Sequence, residues 1–73
     1  MAETREIEMY GFKMKLVIGI NNPLKNDYKV SGVYADYPDG PVSIKVSHNK
    51  EHAVNMVLQE LLDPSIRGMI GHI

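Results

Sequence analysis

The hydrophobic period of this chain changes once, and that change constrains its fold more than any other feature. Apolar and polar residues alternate through positions 6–20 and again over 42–47, whereas apolar residues recur every three or four positions over 50–62. A period of two is typical of a strand with one buried face, and a period near 3.6 is typical of an amphipathic helix. The chain is therefore predicted to form strands first and a helix afterwards, which is an α+β arrangement.

The alternation in the first 20 residues is interrupted at Gly11. Ile7 and Met9 share one phase, and the alternating residues from Phe12 to Ile20 share another. Because a slip of one residue would turn the apolar set to the opposite face, Gly11 is predicted to be either a β-bulge or a tight turn between two short strands.

The middle of the chain carries the next strand signals. Positions 28–37 are predicted to form a strand with Val33, Ala35 and Tyr37 on one face, and Pro38-Asp39-Gly40-Pro41 has the composition of a tight turn. The strand that follows is predicted to bury one face and to leave the other wet. Its apolar residues are Val42, Ile44 and Val46, and they alternate with Ser43, Lys45 and Ser47.

The helix has recognisable start and stop signals. Ser47 or Asn49 can cap its N-terminus, and Asp63, which precedes a proline, is biased away from helical geometry, so the helix is predicted to end near Leu62. Its apolar stripe is expected to pack on the sheet face that carries Val42, Ile44 and Val46. The stripe comprises Val54, Val57, Leu58, Leu61 and Leu62.

The tail of the chain carries too many apolar residues to be left unpacked in solvent, and it is predicted to form a short final strand or a docked segment. Its apolar residues are Ile66, Met69, Ile70 and Ile73. The predicted fold is thus one small α+β domain over residues 1–73. It has a three- or four-stranded, mainly antiparallel sheet with one helix on one face, in the order β-β-β-α, with a short final strand as an option.

Length and composition narrow the function classes. A chain of 73 residues buries only about 60% of its unfolded surface, and without cysteine it has no disulfide or thiolate zinc site to stabilise it. We therefore expect a homodimer. The start resembles no signal peptide, and no stretch approaches the roughly 18 apolar residues of a membrane span. We expect a cytoplasmic protein that makes no membrane contact.

The sequence offers weak catalytic and metal-binding patterns only. His48 and His52 have the spacing of two metal ligands on one helix face, but no third ligand accompanies them. Asp36 and Asp39 flank the predicted turn, where aspartate usually bonds local backbone groups. No serine sits in a nucleophile elbow and no glycine-rich phosphate loop is present. We assign no catalytic residue, metal or cofactor, and expect a protein that is not an enzyme.

Cationic and aromatic residues suggest a nucleic-acid surface as one alternative. Lys13 and Lys15 project together from a strand, Lys45 could join them, and Tyr10 and Tyr34 could stack on bases. The net charge of −1 does not attract phosphate globally. Such binding would therefore depend on a local basic face.

The stretch from Val30 to Leu62 carries an ordered set of motifs. An aromatic residue precedes Pro-Asp, a Gly-Pro turn and a strand follow, and the helix is entered through an acidic residue and an alanine. These residues are Tyr37, Pro38, Asp39, Gly40, Pro41, Glu51, Ala53 and Val54, with Val57 and Leu61 as apolar helix positions. In this order they resemble the HicB-type antitoxin domain, a partial RNase H-like fold of three strands, a helix and a final strand.

The resemblance implies a domain without hydrolytic residues that binds another macromolecule, typically a toxin related to double-stranded RNA-binding domains. Together with the composition, it favours a small, homodimeric regulatory protein that binds and modulates a partner protein. Direct binding of RNA or DNA through the lysine and tyrosine face is the alternative.

Overall fold

A computed structural model describes residues 2–70 as a four-stranded antiparallel sheet in the order β1-β2-β3-β4, followed by a helix packed on it and a shorter helix. The predicted α+β fold is thereby confirmed. The elements are β1 (Glu3–Met9), β2 (Phe12–Asn22), β3 (Asp27–Tyr34), β4 (Tyr37–Ser47), α1 (Lys50–Leu61) and α2 (Pro64–Ile70). Each strand pairs with the next along the chain, so β1 and β4 are the edge strands.

A two-residue turn joins β1 to β2. Met9 pairs with Phe12, and the intervening Tyr10 and Gly11 have φ angles of 55° and 80°. Positive φ at both central residues is the geometry of a type I′ hairpin turn, which matches the right-handed twist of the flanking strands. Of the two alternatives predicted at Gly11, the structure therefore has the turn.

The chain reverses between β3 and β4 at Ala35 and Asp36, so the turn predicted at 38–41 was placed wrongly. Tyr34 pairs with Tyr37, whereas the neighbouring Val33 pairs with Val42, which leaves residues 38–41 as an insertion within β4. Pro38 and Pro41 have no N–H to donate to β3. An irregular stretch on an edge strand tolerates them.

Helix α1 covers one face of the sheet and forms the core with residues of β2 and β3. It contributes the predicted stripe, of which Val57 and Leu61 are fully buried. The aromatic ring of Tyr34 stacks edge-on against Phe12, with 5.4 Å between centroids. The buried core comprises Met14, Leu16, Ile18, Val30, Tyr34, Ala53, Val54, Val57, Leu58 and Leu61.

The prediction that α1 packs on Val42, Ile44 and Val46 was wrong. These side chains remain 56%, 52% and 46% exposed on the opposite face. The reason is register: β3 turns Val30 and Tyr34 towards the helix, and the pairing of β3 with β4 then brings Ser43 and Lys45 to that same face. A shift of one residue would have exchanged the two sets.

Both ends of α1 follow local rules. Asn49 is the N-cap, and its side-chain oxygen accepts a hydrogen bond of 3.0 Å from the backbone N–H of His52. Asn49 in turn donates its own N–H to the Ser47 hydroxyl. The helix ends at Leu61, close to the position that the Asp63-Pro64 step predicted.

The segment after α1 is helical rather than a strand. Asp63 accepts hydrogen bonds from the backbone and the hydroxyl of Ser65, and α2 begins at Pro64, the position in a first turn that proline tolerates. Ile66 packs against the core, as expected of a docked segment. The expectations for the side chains of Met69 and Ile70, and for Ile73, lie outside the described part of the chain.

Candidate functional site

The sheet face turned away from α1, here called the open face, is not covered by any other element of the described residues. Strand alternation divides each strand between the buried side and this face, so the open face carries every second residue. Most of its charged residues lie on β1 and β2, and most of its apolar residues lie on β3 and β4. The charged residues are Glu6, Glu8, Lys13, Lys15 and Lys29, and the apolar patch comprises Val17, Val33, Val42, Ile44 and Val46.

The apolar patch is contiguous. Val33 pairs directly with Val42 across β3 and β4, and Ile44 and Val46 follow Val42 on the edge strand. Val17 lies on the other side of Ser31 from Ile44. Single exposed apolar residues are ordinary on a protein surface, whereas contiguous ones mark interaction surfaces. Sequence reasoning missed this patch because it placed three of its members in the core.

The sequence of β3 contains a feature that indicates which face of the sheet meets α1. Val30, Gly32 and Tyr34 share one phase of that strand. Val30 pairs with Lys45 of β4, and Gly32 pairs with Ser43. A glycine between two large apolar residues marks a close approach of another element. That feature favours the even-numbered phase of β3 as the helix-facing one.

The two predicted lysines of β2 do lie together on the open face. Lys15 is directly opposite Glu6, and Lys13 is directly opposite Glu8, on the neighbouring strand. Cross-strand pairs of opposite charge stabilise a sheet by a few tenths of a kcal/mol to about 1 kcal/mol. The arrangement also balances each cation with an anion, so this half of the face has alternating charge rather than a basic surface.

The structure separates the other predicted site residues from these lysines. Lys45 lies on the helix side of the sheet, where its ammonium is 3.2 Å from a carboxylate oxygen of Glu60. Tyr34 is 2% exposed, and its hydroxyl donates to the backbone carbonyl of Leu61 inside the core. Tyr10 is 78% exposed at the hairpin turn. The five residues therefore do not form one surface.

The buried environment of Tyr34 suits a structural donor. Burial raises the pKa of its phenol, which keeps the hydroxyl protonated. The hydroxyl satisfies a carbonyl at the last residue of α1, where helix carbonyls have no partner within the helix. Tyr34 thus joins the C-terminal end of α1 to the sheet and is not accessible for stacking on a base.

Charged residues on the helix side tie α1 to the sheet. Arg5 of β1 donates to Glu3 at 2.8 Å and to Glu51 at 3.0 Å, and Lys50 lies 3.3 Å from the other oxygen of Glu3. Arg5 and then Lys50 lower the pKa of Glu3, and Arg5 lowers the pKa of Glu51. The two glutamates are exposed and the two cations partly exposed, so solvent screens the cluster.

A second contact of this kind lies at the other end of the helix. The Ser43 hydroxyl, which is buried and makes no hydrogen bond of good geometry, and the Lys45 ammonium, 3.2 Å from a Glu60 oxygen, lower the pKa of the Glu60 carboxyl. Lys45 is partly buried and its ammonium reaches Glu60 of α1, the usual way in which a lysine occupies a partly buried position. Its cation is engaged within the fold.

Residues 2–70 also contain the predicted His48–His52 pair and an open cleft beside the end of α1. Within residues 2–70, no group of three His, Cys, Asp or Glu residues is arranged to hold a metal ion. His48 contacts the carbonyl of Asn26 through its ring nitrogen at 3.2 Å. An open cleft of about 490 Å³ between the β1–β2 turn and the end of α1 is lined mainly by apolar side chains, with Asp63 at its rim.

In the described residues no helix is long and apolar enough to cross a membrane. Comparison with known proteins adds no identification: no family model, curated protein or solved structure matches the chain.

Proposed function

We propose that this chain is a small, non-enzymatic regulatory protein that acts by binding a partner protein through the open face of its sheet. One observation carries the proposal: the face opposite α1 is uncovered and bears a contiguous apolar patch beside ordered opposite charges. Interfaces between proteins combine an apolar centre with a polar rim in this way. A partner of the kind that the HicB-type resemblance implies, a toxin, would suit such a surface.

Direct RNA or DNA binding is the second candidate, and Lys13 and Lys15 favour it because they lie side by side on the open face. Two features weigh against it. Each of these lysines faces a glutamate, and Lys45 and Tyr34 are engaged inside the fold. Phosphate binding depends on cations that can replace counterions along the backbone, and on this face two of the three lysines lie directly opposite a glutamate, which leaves Lys29 as the one lysine without a glutamate across the strand pair.

Affinity capture from host lysate, with and without nuclease, tests the proposal with two matched variants. Val17→Lys and Ile20→Lys each replace an apolar residue of β2 by lysine, but on opposite faces of the sheet. Val17 lies on the open face, and Ile20 is exposed on the helix side. We expect the captured protein to resist nuclease, to be lost with Val17→Lys and to be retained with Ile20→Lys. Equal capture by both variants would contradict the use of the open face.

A salt titration with Lys15→Gln and Lys45→Gln distinguishes the second candidate. If nucleic acid is the ligand, log K falls steeply with log salt, and Lys15→Gln reduces that slope by roughly 1. Lys45→Gln should leave the slope unchanged, because that ammonium is engaged with Glu60 on the other face. Absence of measurable nucleic-acid affinity in low salt would eliminate this candidate.

A further inference from the structure

We infer that the cleft between the β1–β2 turn and the end of α1 binds a small organic amine, that is, a molecule with an apolar body and a protonated amino group. The cleft has a volume of about 490 Å³, within the range of about 300–1,000 Å³ that is usual for small-molecule sites. It lies on the helix side of the sheet. This site is therefore independent of the proposed function, which uses the open face.

One wall of the cleft is a single stripe along α1 and its C-cap. The stripe comprises Asn55, Leu58, Gln59 and Leu62, and residues with this spacing of three, four and seven lie on the same side of a helix. Leu58 belongs to the core, so the packing of the domain fixes the floor of the cleft. The amides of Asn55 and Gln59 supply hydrogen-bonding groups beside this apolar floor.

The opposite wall is the β1–β2 turn, which leaves apolar side chains uncovered. Met9 is 37% exposed and Tyr10 is 78% exposed, and both line the cleft. The type I′ turn fixes the backbone at Tyr10 and Gly11, and a wall that is formed before binding loses little conformational entropy when a ligand binds. An exposed aromatic ring also attracts a cation. The two walls thus favour an apolar ligand body.

The charge of the cleft favours a cation. Of the eight residues that line it, Asp63 alone is charged. The hydroxyl and the backbone N–H of Ser65 donate to one oxygen of this carboxylate, at 2.5 Å and 3.0 Å. They lower the pKa of Asp63 most, and Arg67 lowers it further, so the carboxyl is ionised at neutral pH.

The second oxygen of Asp63 is available to a ligand. It accepts no hydrogen bond and meets no cation within 4.0 Å among the described residues. A carboxylate that is held in place through one oxygen and free at the other suits a charge-assisted hydrogen bond from a protonated amine. The same carboxylate repels an anion.

The cleft is bounded, which suits a small molecule rather than a peptide segment. It occupies one end of the groove between β1 and α1. At the other end of that groove Arg5 donates to Glu51 at 3.0 Å, and Ile7 packs against the core between the two ends. Pro64 lines the cleft where the chain leaves α1. An extended chain therefore has no free path along the whole groove.

Titration of the purified, isotope-labelled chain, followed by two-dimensional NMR, tests the inference with three probes that share one apolar body. At neutral pH phenylbutylamine is a cation, phenylbutanol is neutral and phenylbutyrate is an anion. We expect saturable shifts of the amide signals of Asn55, Gln59 and Asp63, with millimolar Kd values for ligands of this size. Phenylbutylamine should bind about two- to fivefold more tightly than phenylbutanol, the gain from an exposed ion pair, and phenylbutyrate should bind most weakly.

Two outcomes of this titration would overturn the inference. One is the absence of saturable shifts at the cleft, including the case in which the probes shift only signals of the open face. The other is binding of phenylbutyrate as tight as that of phenylbutylamine.

Asp63→Asn isolates the charge. Asparagine keeps a side-chain oxygen for the bonds from Ser65 and is as good a helix N-cap as aspartate. The preference for the amine over the alcohol should disappear in this variant. Asp39→Asn, the same change on the opposite edge strand, should keep the preference. A preference that survives Asp63→Asn, or one that Asp39→Asn also removes, would contradict the assigned role of Asp63.

Tyr10→Asn tests the apolar wall. Asn-Gly is the favoured pair in a type I′ turn, so the variant keeps the turn at Tyr10 and Gly11 and removes only the ring. All three probes should bind more weakly, because the ring contacts the body that they share. Unchanged affinities would show that no probe lies against the turn.

These measurements use the purified chain without a partner protein, so failure here is distinct from failure of the proposed function. Absence of probe binding, together with nuclease-resistant and Val17-dependent capture of a partner, would refute the amine site alone. Amine binding that depends on Asp63, together with capture that does not depend on Val17, would refute the use of the open face alone.

Discussion

Gly32 of β3 lies directly beneath Val57 of α1. A Cβ atom at Gly32 would overlap Cγ1 of Val57 and would come within 2.7 Å of Cδ2 of Leu16. The helix therefore approaches the backbone of a central strand more closely than any side chain permits. Glycine serves here to admit a neighbouring element.

Gly32→Ala should consequently destabilise the fold. Overpacking of a filled core typically costs about 1–3 kcal/mol, and the atoms that the new Cβ would crowd belong to two elements, β2 and α1. Gly19→Ala is the matched control, because no atom lies within 4 Å of its added Cβ. Urea denaturation monitored by circular dichroism measures both. Equal midpoints for the two variants would show that α1 does not lie over Gly32.

Leu61→Ala tests the helix side of the core. Leu61 is fully buried, and truncation of a buried leucine typically costs about 2–5 kcal/mol, against a total stability on the order of 5 kcal/mol for a small domain. The variant should be largely unfolded at 37 °C in thermal melts. Leu24→Ala, at a turn position that is 96% exposed, should melt within a few degrees of wild type. A cooperative wild-type-like melt of Leu61→Ala would refute the packing.

Tyr34→Phe isolates one buried hydrogen bond. It removes the hydroxyl that donates to the Leu61 carbonyl and keeps the ring that packs on Phe12. Leaving a buried acceptor unpaired costs about 1–3 kcal/mol. The unfolding free energy should fall by that amount, whereas Tyr10→Phe, at the exposed turn, should leave it unchanged. Equal effects of the two substitutions would place the Tyr34 hydroxyl in solvent.

Acid should weaken the link between β1 and α1. Arg5 lowers the pKa of Glu3 and of Glu51 in the folded state, so these carboxylates stabilise the fold above their unfolded pKa values. That stabilisation is lost as the pH falls through the folded pKa values. Both are lowered from the ordinary glutamate value of 4.5, so the loss occurs below that pH. Urea midpoints should therefore decline from pH 6 to pH 3.

Arg5→Gln identifies the source of that decline. The variant should flatten the acid limb of the pH profile, because neither glutamate retains the guanidinium that lowers its pKa. Lys25→Gln removes a cation from the β2–β3 turn and should reproduce the wild-type profile. A profile unchanged by Arg5→Gln would mean that the cluster contributes nothing to stability in solution.

Local rules explain the elements that the sequence predicted well. The change of period located the strands and α1, the Asn49 cap and the Asp63-Pro64 step bounded the helix, and the stripe of Val57 and Leu61 gave the buried side of α1. Each of these signals acts over a few residues. They specify an element and its apolar side before any other element is present.

The candidate site could not be read in this way, because it depends on which face of β4 meets the helix. Val42, Ile44 and Val46 form as clean an alternating set as any core strand, and their sequence favours burial. The reversal at Ala35–Asp36 and the insertion at residues 38–41 fix the pairing of β4 with β3 instead. That pairing turns the apolar set outward.

The sequence by itself therefore determined that strands precede a helix, the limits of α1 and the α+β class, since propensity, capping and period are local properties. The tertiary structure alone decided that Ser43 and Lys45 lie under the helix, that Tyr34 is buried, and that the apolar set of β4 lies on the open face. Strand register has a period of two, so one residue of offset exchanges core and surface, and long-range pairing rather than local sequence sets that offset.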